Sequence, residues 1–111
     1  MTVLIDRARV RALNDILRRT FYGGTLMLTP GIVALGRERQ AAILAAVATF
    51  ERFDADNDPY GEHDFGALTV AEERVYFKID YCDRSLMHGS PDPADSRVTA
   101  RVLTVMLAGE Y

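Results

Sequence analysis

His63 and Asp80, with Glu62 and Lys78 close by in the chain, are the residues whose types could do chemistry. A histidine and a carboxylate can exchange a proton with a substrate, and a lysine can stabilise the negative charge that develops. That set would suit a small hydrolase or nuclease. Cys82 adds a thiol that a histidine across a hairpin could activate, and Ser85, Ser90 and Ser96 are the hydroxyl candidates. No pattern of oxyanion donors accompanies them. A lone cysteine at a strand end is more often a small semi-buried residue than a nucleophile, so a surface hydrogen-bond network is the plainer reading of the group.

Metal chemistry is tested by spacing. Asp54-x-Asp56-x-Asp58 matches the first three liganding positions of an EF-hand loop, but the sixth position holds Pro59 where glycine is needed, and the twelfth holds Phe65 instead of a bidentate glutamate. Glu62, His63, Asp64, Asp80 and His88 have the ligand types for zinc or manganese without an HxxxH or HExxH spacing to preorganise them. No metal and no cofactor is therefore expected, and the aspartates read as turn caps. Gly23-Gly24 is not a phosphate loop, because no glycine here is followed by lysine.

These residues lie in one stretch, Phe53 to Asp83, that begins as an acidic loop and continues as a hairpin. Residues 63–70 and 75–81 are rich in β-branched and aromatic types, with Glu72-Glu73 placed to turn the chain. Setting Val70 opposite Val75 pairs Leu68 with Phe77 and Gly66 with Ile79 on an apolar face. The other face then carries Thr69 with Tyr76, Ala67 with Lys78, Phe65 with Asp80 and His63 with Cys82. Aromatic residues among charges resemble a binding surface more than an inert one, so Tyr60, Phe65 and Tyr76 join Glu62, His63, Lys78 and Asp80 as the expected functional surface.

The elements that must position this stretch are helical and strand segments before and after it. Apolar Ile5, Ala8, Ala12, Leu13, Ile16 and Leu17 recur at helical spacing from Thr2 or Asp6 to about Arg19, which places Arg7, Arg11 and Arg18 in a row on the outer surface. An arginine row can hold phosphates, which makes nucleic acid an alternative partner. Thr25–Thr29 reads as a short strand beside the hairpin, residues 37–53 as a second helix, and residues from Asp92 to about Ala108 as a third, begun by the cap and first-turn proline of Asp92-Pro93.

The whole chain is one domain by length: 111 residues, 49% apolar and 26% charged. No window approaches a membrane span and the charged N-terminus does not read as a signal peptide, so the cytoplasm is expected and membrane association is not. One cysteine excludes an internal disulfide and a Cys-rich zinc fold. The net charge of −3 divides unevenly: residues 1–53 hold eight arginines against four acids, and residues 54–111 hold five basic residues against twelve. Halves of opposite sign attract each other within a fold more often than they steer an outside partner.

Three segments, IDRARVRALNDILRRTF, DNDPYGEHDFG with VYFKIDYCDR, and GSPDPADSRVTARVLTVMLAGEY, together resemble the bacterial domain-of-unknown-function family three-seven-six-eight, met mostly in alphaproteobacteria. The resemblance runs from Ile5 to Tyr111. It implies a single-domain cytoplasmic protein and supplies no activity; Cys82 stands where the family more often has tyrosine. The expected fold is α+β in the order α-β-α-β-β-α, a three-stranded antiparallel sheet with helices on one face. The expected function is a non-enzymatic protein-binding or accessory factor, of the kind associated with mobile elements, acting as a monomer or homodimer.

Overall fold

The computed structural model describes residues 5–111. It is a four-stranded mixed sheet with helices packed on one face. Helix α1 spans Arg7–Thr20; β1, Thr25–Leu28; α2, Pro30–Val33; α3, Arg37–Ala48; β2, Phe65–Val70; β3, Glu73–Cys82; and β4, Ala100–Leu107, followed by a 3-10 turn over Ala108–Glu110. The strand order is β1-β4-β3-β2, antiparallel except for β1, which runs parallel to β4. The α+β class and single small domain agree with the sequence. The three-stranded antiparallel sheet does not.

The added strand is β4, where a third helix was expected. Arg101, Leu103, Val105 and Leu107 point to the helices, and Val102, Thr104 and Met106 to the other side. A strand flanked on both edges buries part of both faces, so its apolar run is nearly continuous and mimics a helical stripe. Val98, Thr99, Val102, Thr104 and Val105 are β-branched and decide for the strand. The Asp92-Pro93 signal is local: Asp92 Oδ1 accepts from Ala94 N–H and Asp95 Oδ1 from Arg97 N–H, closing two turns and no helix. Because β4 takes the place beside β3, β1 lies against β4 and not against the hairpin.

The core joins Leu17, Ile32, Ile43, Val47 and Phe50 to Val75, Phe77, Ile79, Leu103 and Val105 of the sheet's inner side. Helix α3 ends at Ala48, earlier than the expected residue 53, and Phe50 packs edge-on to Phe77 at 5.3 Å between centroids. Gly66 makes room for that packing, since a Cβ there would collide with the Phe77 ring.

In the hairpin Leu68 pairs with Val75, Gly66 with Phe77 and Phe65 with Lys78. The register is shifted by two residues from the expected one. The loop is Ala71-Glu72, both at positive φ (51° and 69°), a two-residue turn of the kind that twists with its strands. A shift of two preserves every side chain's face. His63 consequently precedes the strand at φ 57° and does not face Cys82.

Candidate functional site

The acidic loop is held by its own side chains. Asp54 Oδ1 accepts from Asp56 and Asn57 N–H, Asn57 Oδ1 accepts from Asp54 N–H, and Asp58 Oδ1 accepts from Glu62 and His63 N–H. These are Asx turns. Among the described residues no group of three or more His, Cys, Asp or Glu is placed to hold a metal ion.

The loop docks on α1, and it docks on the arginines. Asp6 caps α1 by accepting from Arg9 N–H; the alternative start at Thr2 lies outside the described residues. The helix is rotated from its expected orientation, with Val10, Asn14, Leu17 and Arg18 buried while Ile5 and Ile16 are exposed. Arg7, Arg11, Asn14 and Arg18 form one row that runs from the exposed Arg7 to the buried Asn14 and Arg18. Arg7 Nη1 pairs with Glu62 Oε2 at 2.9 Å and its guanidinium lies 4.5 Å from the centre of the Tyr60 ring. Arg11 Nη1 donates to Gly61 O. Arg18, fully buried, donates to Val47 O, Ala48 O and Phe50 O at the end of α3 and to Asp15 Oδ1, while its Nε finds no partner among the described residues. Basic side chains at a helix C-terminus meet carbonyls that lack intrahelical donors.

Behind this row runs a hydrogen-bonded relay. Arg101 Nε donates to Asn14 Oδ1 (2.7 Å), Asn14 Nδ2 donates to Tyr81 Oη (2.7 Å), and Tyr81 O–H donates to Glu62 Oε1 (2.8 Å). Arg101 also donates to Pro93 O, and its guanidinium lies 5.2 Å from the centre of the Tyr81 ring. Burial pushes the Tyr81 phenol far above its ordinary value and lowers Arg101, so the phenol stays a donor to the carboxylate.

His63 belongs to the same side. Its ring stacks on Phe53 at 3.9 Å, Nδ1 lies 2.9 Å from Asp15 Oδ1, and Nε2 is 3.7 Å from Asp58 Oδ2. Burial alone would raise Asp15, but hydrogen bonds and charges from His63 and Arg18 outweigh it and hold the carboxyl below its usual range. A 210 Å³ cavity opens beside this group, bounded by Arg18, Arg19, Glu51, Phe53 and His63.

Lys78 and Asp80 stand on the opposite side of the sheet. Their 2.9 Å ion pair joins neighbours two apart on β3's outer face. The chemical set is therefore divided: Glu62 and His63 face α1, Lys78 and Asp80 face outward. Around the latter pair, strand register lines up Phe65, Lys78, Thr104 and Met27 in one row and Ala67, Tyr76 and Met106 in the next. Phe65, Tyr76 and Tyr111 form a cluster with centroids 5.4 to 5.9 Å apart. Beyond Cys82 the loop of residues 83–89 projects Leu86 and Met87, 64% and 75% exposed, at the other end of this face. Cys82 is half-buried and pairs across the sheet with Ala100.

Strand alternation in the sequence places Phe65, Tyr76, Lys78 and Asp80 on one face, and the register has them there. That reading misses Asn14, Asp15, Tyr81 and Arg101. The available signal was Asn14 itself, which lies in the same helical row as Arg7, Arg11 and Arg18, opposite an acidic second half.

The chain belongs to the family described as protein of unknown function, DUF3768, whose sequence profile matches residues 28–110. That match includes α3, the hairpin and β4, and begins after α1. No curated protein and no solved structure matches the chain.

Proposed function

We propose that this protein is a non-enzymatic interaction module that meets a protein partner with the outer face of its sheet. The observation that carries the reading is the composition of that face: Phe65, Tyr76 and Tyr111 clustered on the β2 and β3 side, Met27 (53% exposed) at the β1 edge of the same row as Phe65, Leu86 and Met87 at the far end of β3, and as charges the Lys78–Asp80 pair with Arg74 at the hairpin end. Aromatic and methionine side chains with few charges characterise interface centres. Among the described residues none of α1, α2 and α3 packs over this side; the chain end covers part of it, with Tyr111 on Phe65 and Tyr76 and with Met106 buried. A small domain is ordinarily built from layers that cover each other's apolar faces, and a sheet with one such face only partly covered is suited to receive another surface.

Two alternatives have less support. A hydrolase using Glu62, His63, Lys78 and Asp80 would need them convergent, and they occupy two sides of the sheet. Phosphate binding by Arg7, Arg11 and Arg18 would compete with the loop and carbonyl contacts each already makes.

Site-specific photocross-linking tests the reading. A benzophenone amino acid at Met27 or Tyr76 should give protein adducts, whereas the same probe at Ile16 or Val33, exposed on α1 and α2, should give none. Adducts confined to the α1 and α2 positions would overturn it.

A further inference from the structure

We infer that the occupant of the outer sheet face is a second copy of this chain, packed face to face about a two-fold axis that crosses β3 near Ile79. The inference rests on reading that face as an interface. A two-fold interface presents the same patch from both copies and must be complementary to itself. An axis lying between the two sheets and crossing the strands reverses positions along each strand, so that residues equidistant from 79 meet. Lys78 of one copy then faces Asp80 of the other, twice over. The 2.9 Å pair inside each copy becomes a square of alternating charge.

The same operation places Tyr76 against Cys82. It brings the aromatic end, Phe65, Tyr76 and Tyr111, over the end where Leu86 and Met87 project. Apolar surface at each end thus covers apolar surface, with the Lys78–Asp80 pairs at the centre and Arg74 at the hairpin end of the same face, held to Thr69 of its own copy. The product is a sandwich of two aligned sheets, about 10 Å apart. Strand spacing and rise give the face roughly 450 Å² per copy. Leu86 and Met87, in the loop beyond Cys82, extend past that footprint and bring the total to about the 1,000 Å² expected of a specific interface.

The charge pattern supplies the test, by sedimentation velocity on the full chain. Wild type should be a dimer when concentrated. Lys78→Glu leaves the centre all-acidic and Asp80→Lys leaves it all-basic; both sites are surface positions, with side chains 39% and 49% exposed, where exchange does not disturb the core. Each variant alone should sediment as a monomer, and an equimolar mixture should recover the dimer. The double exchange Lys78→Asp, Asp80→Lys should dimerise like wild type. A wild type that stays monomeric when concentrated, or single variants that dimerise unmixed, would overturn the inference. Benzophenone at Tyr76 separates the two levels: an adduct of twice the chain mass supports the second copy, an adduct only with a different protein overturns it while the interface reading stands, and no adduct at all overturns both.

Discussion

On the helix side of the sheet, one end of the interior is filled by Arg18, Asn14, Tyr81, Arg101 and Glu62, hydrogen-bonded to one another or to carbonyls. On the open side, Phe65, Tyr76 and Tyr111 stand together at the surface, with Met27 and Met87 beyond them. A buried polar network lies inside, and a second aromatic cluster lies outside. The difference separates two jobs. Buried polar groups demand partners at fixed geometry, so the inner network ties the acidic loop, α1 and the end of α3 into one arrangement. The outer cluster, with Phe65 and Tyr76 half-buried and Tyr111 exposed, contributes less to the fold of a single copy than a buried network and more to association.

The contrast can be broken most easily from the inside. Arg18→Ala should destabilise the domain by about 3–5 kcal/mol, since it leaves the carbonyls of Val47, Ala48 and Phe50 without this donor inside the protein and removes one of the two partners of Asp15. Urea denaturation followed by circular dichroism measures it, and a loss below about 1 kcal/mol, the value of an exposed ion pair, would show the network to be dispensable. Gly66→Ala tests the apolar half of the same interior. Its methyl must displace Phe77 or Phe50, at an expected cost of about 1–3 kcal/mol in the same assay.

Acid titration sharpens the comparison further. Asp15 has its folded value held below the ordinary carboxylate range, so its stabilising contribution is complete above that range and is lost as pH falls through the depressed value. Asp15→Asn should lower stability at neutral pH and give a shallower acid limb; parallel limbs for variant and parent would remove Asp15 from the account. Asp64 has the opposite sign. Burial, with Glu62, Asp58 and Asp80 nearby, raises its folded value, so Asp64→Asn should not weaken the protein at neutral pH.

The outer face should contribute less to stability than the Arg18 network. Tyr76→Ser, measured at high dilution so that association adds nothing, should cost about 1–3 kcal/mol, the scale of the two aromatic pairs it removes. A loss comparable to that of Arg18→Ala would mean that the outer cluster is core by another name.

Much of the outer face was legible because strand alternation is robust to error. The hairpin register was read two residues away from the true one, yet Phe65, Tyr76, Lys78 and Asp80 fell on the correct side, since a slip of two changes partners and not faces. The register itself was hidden by Ala71-Glu72, which adopt left-handed backbone without the Asn-Gly pair that usually announces such a turn. The inner site was less legible. Helical periodicity ranked Ile5, Ala8 and Ile16 as core because they are apolar, whereas the acidic loop drew the arginine row inward and turned those residues toward solvent. The split of charge between the two halves of the chain was the trace of that attraction. β4 was misread for a related reason: a central strand loses the alternation that marks an edge strand.

Methionine oxidation footprinting tests the central claim most directly, because the chain carries its own reporters. Met27 and Met87 lie on the outer face, 53% and 75% exposed, and Met106, 3% exposed, serves as the buried control. With hydroxyl radicals at high dilution, Met27 and Met87 should oxidise readily and Met106 slowly. In concentrated solution the account predicts that Met27 and Met87 become protected while Ile16 and Tyr22, exposed on α1 and just beyond it, keep their reactivity. Unchanged oxidation of both methionines across that range, or protection of the α1 side instead, would contradict it.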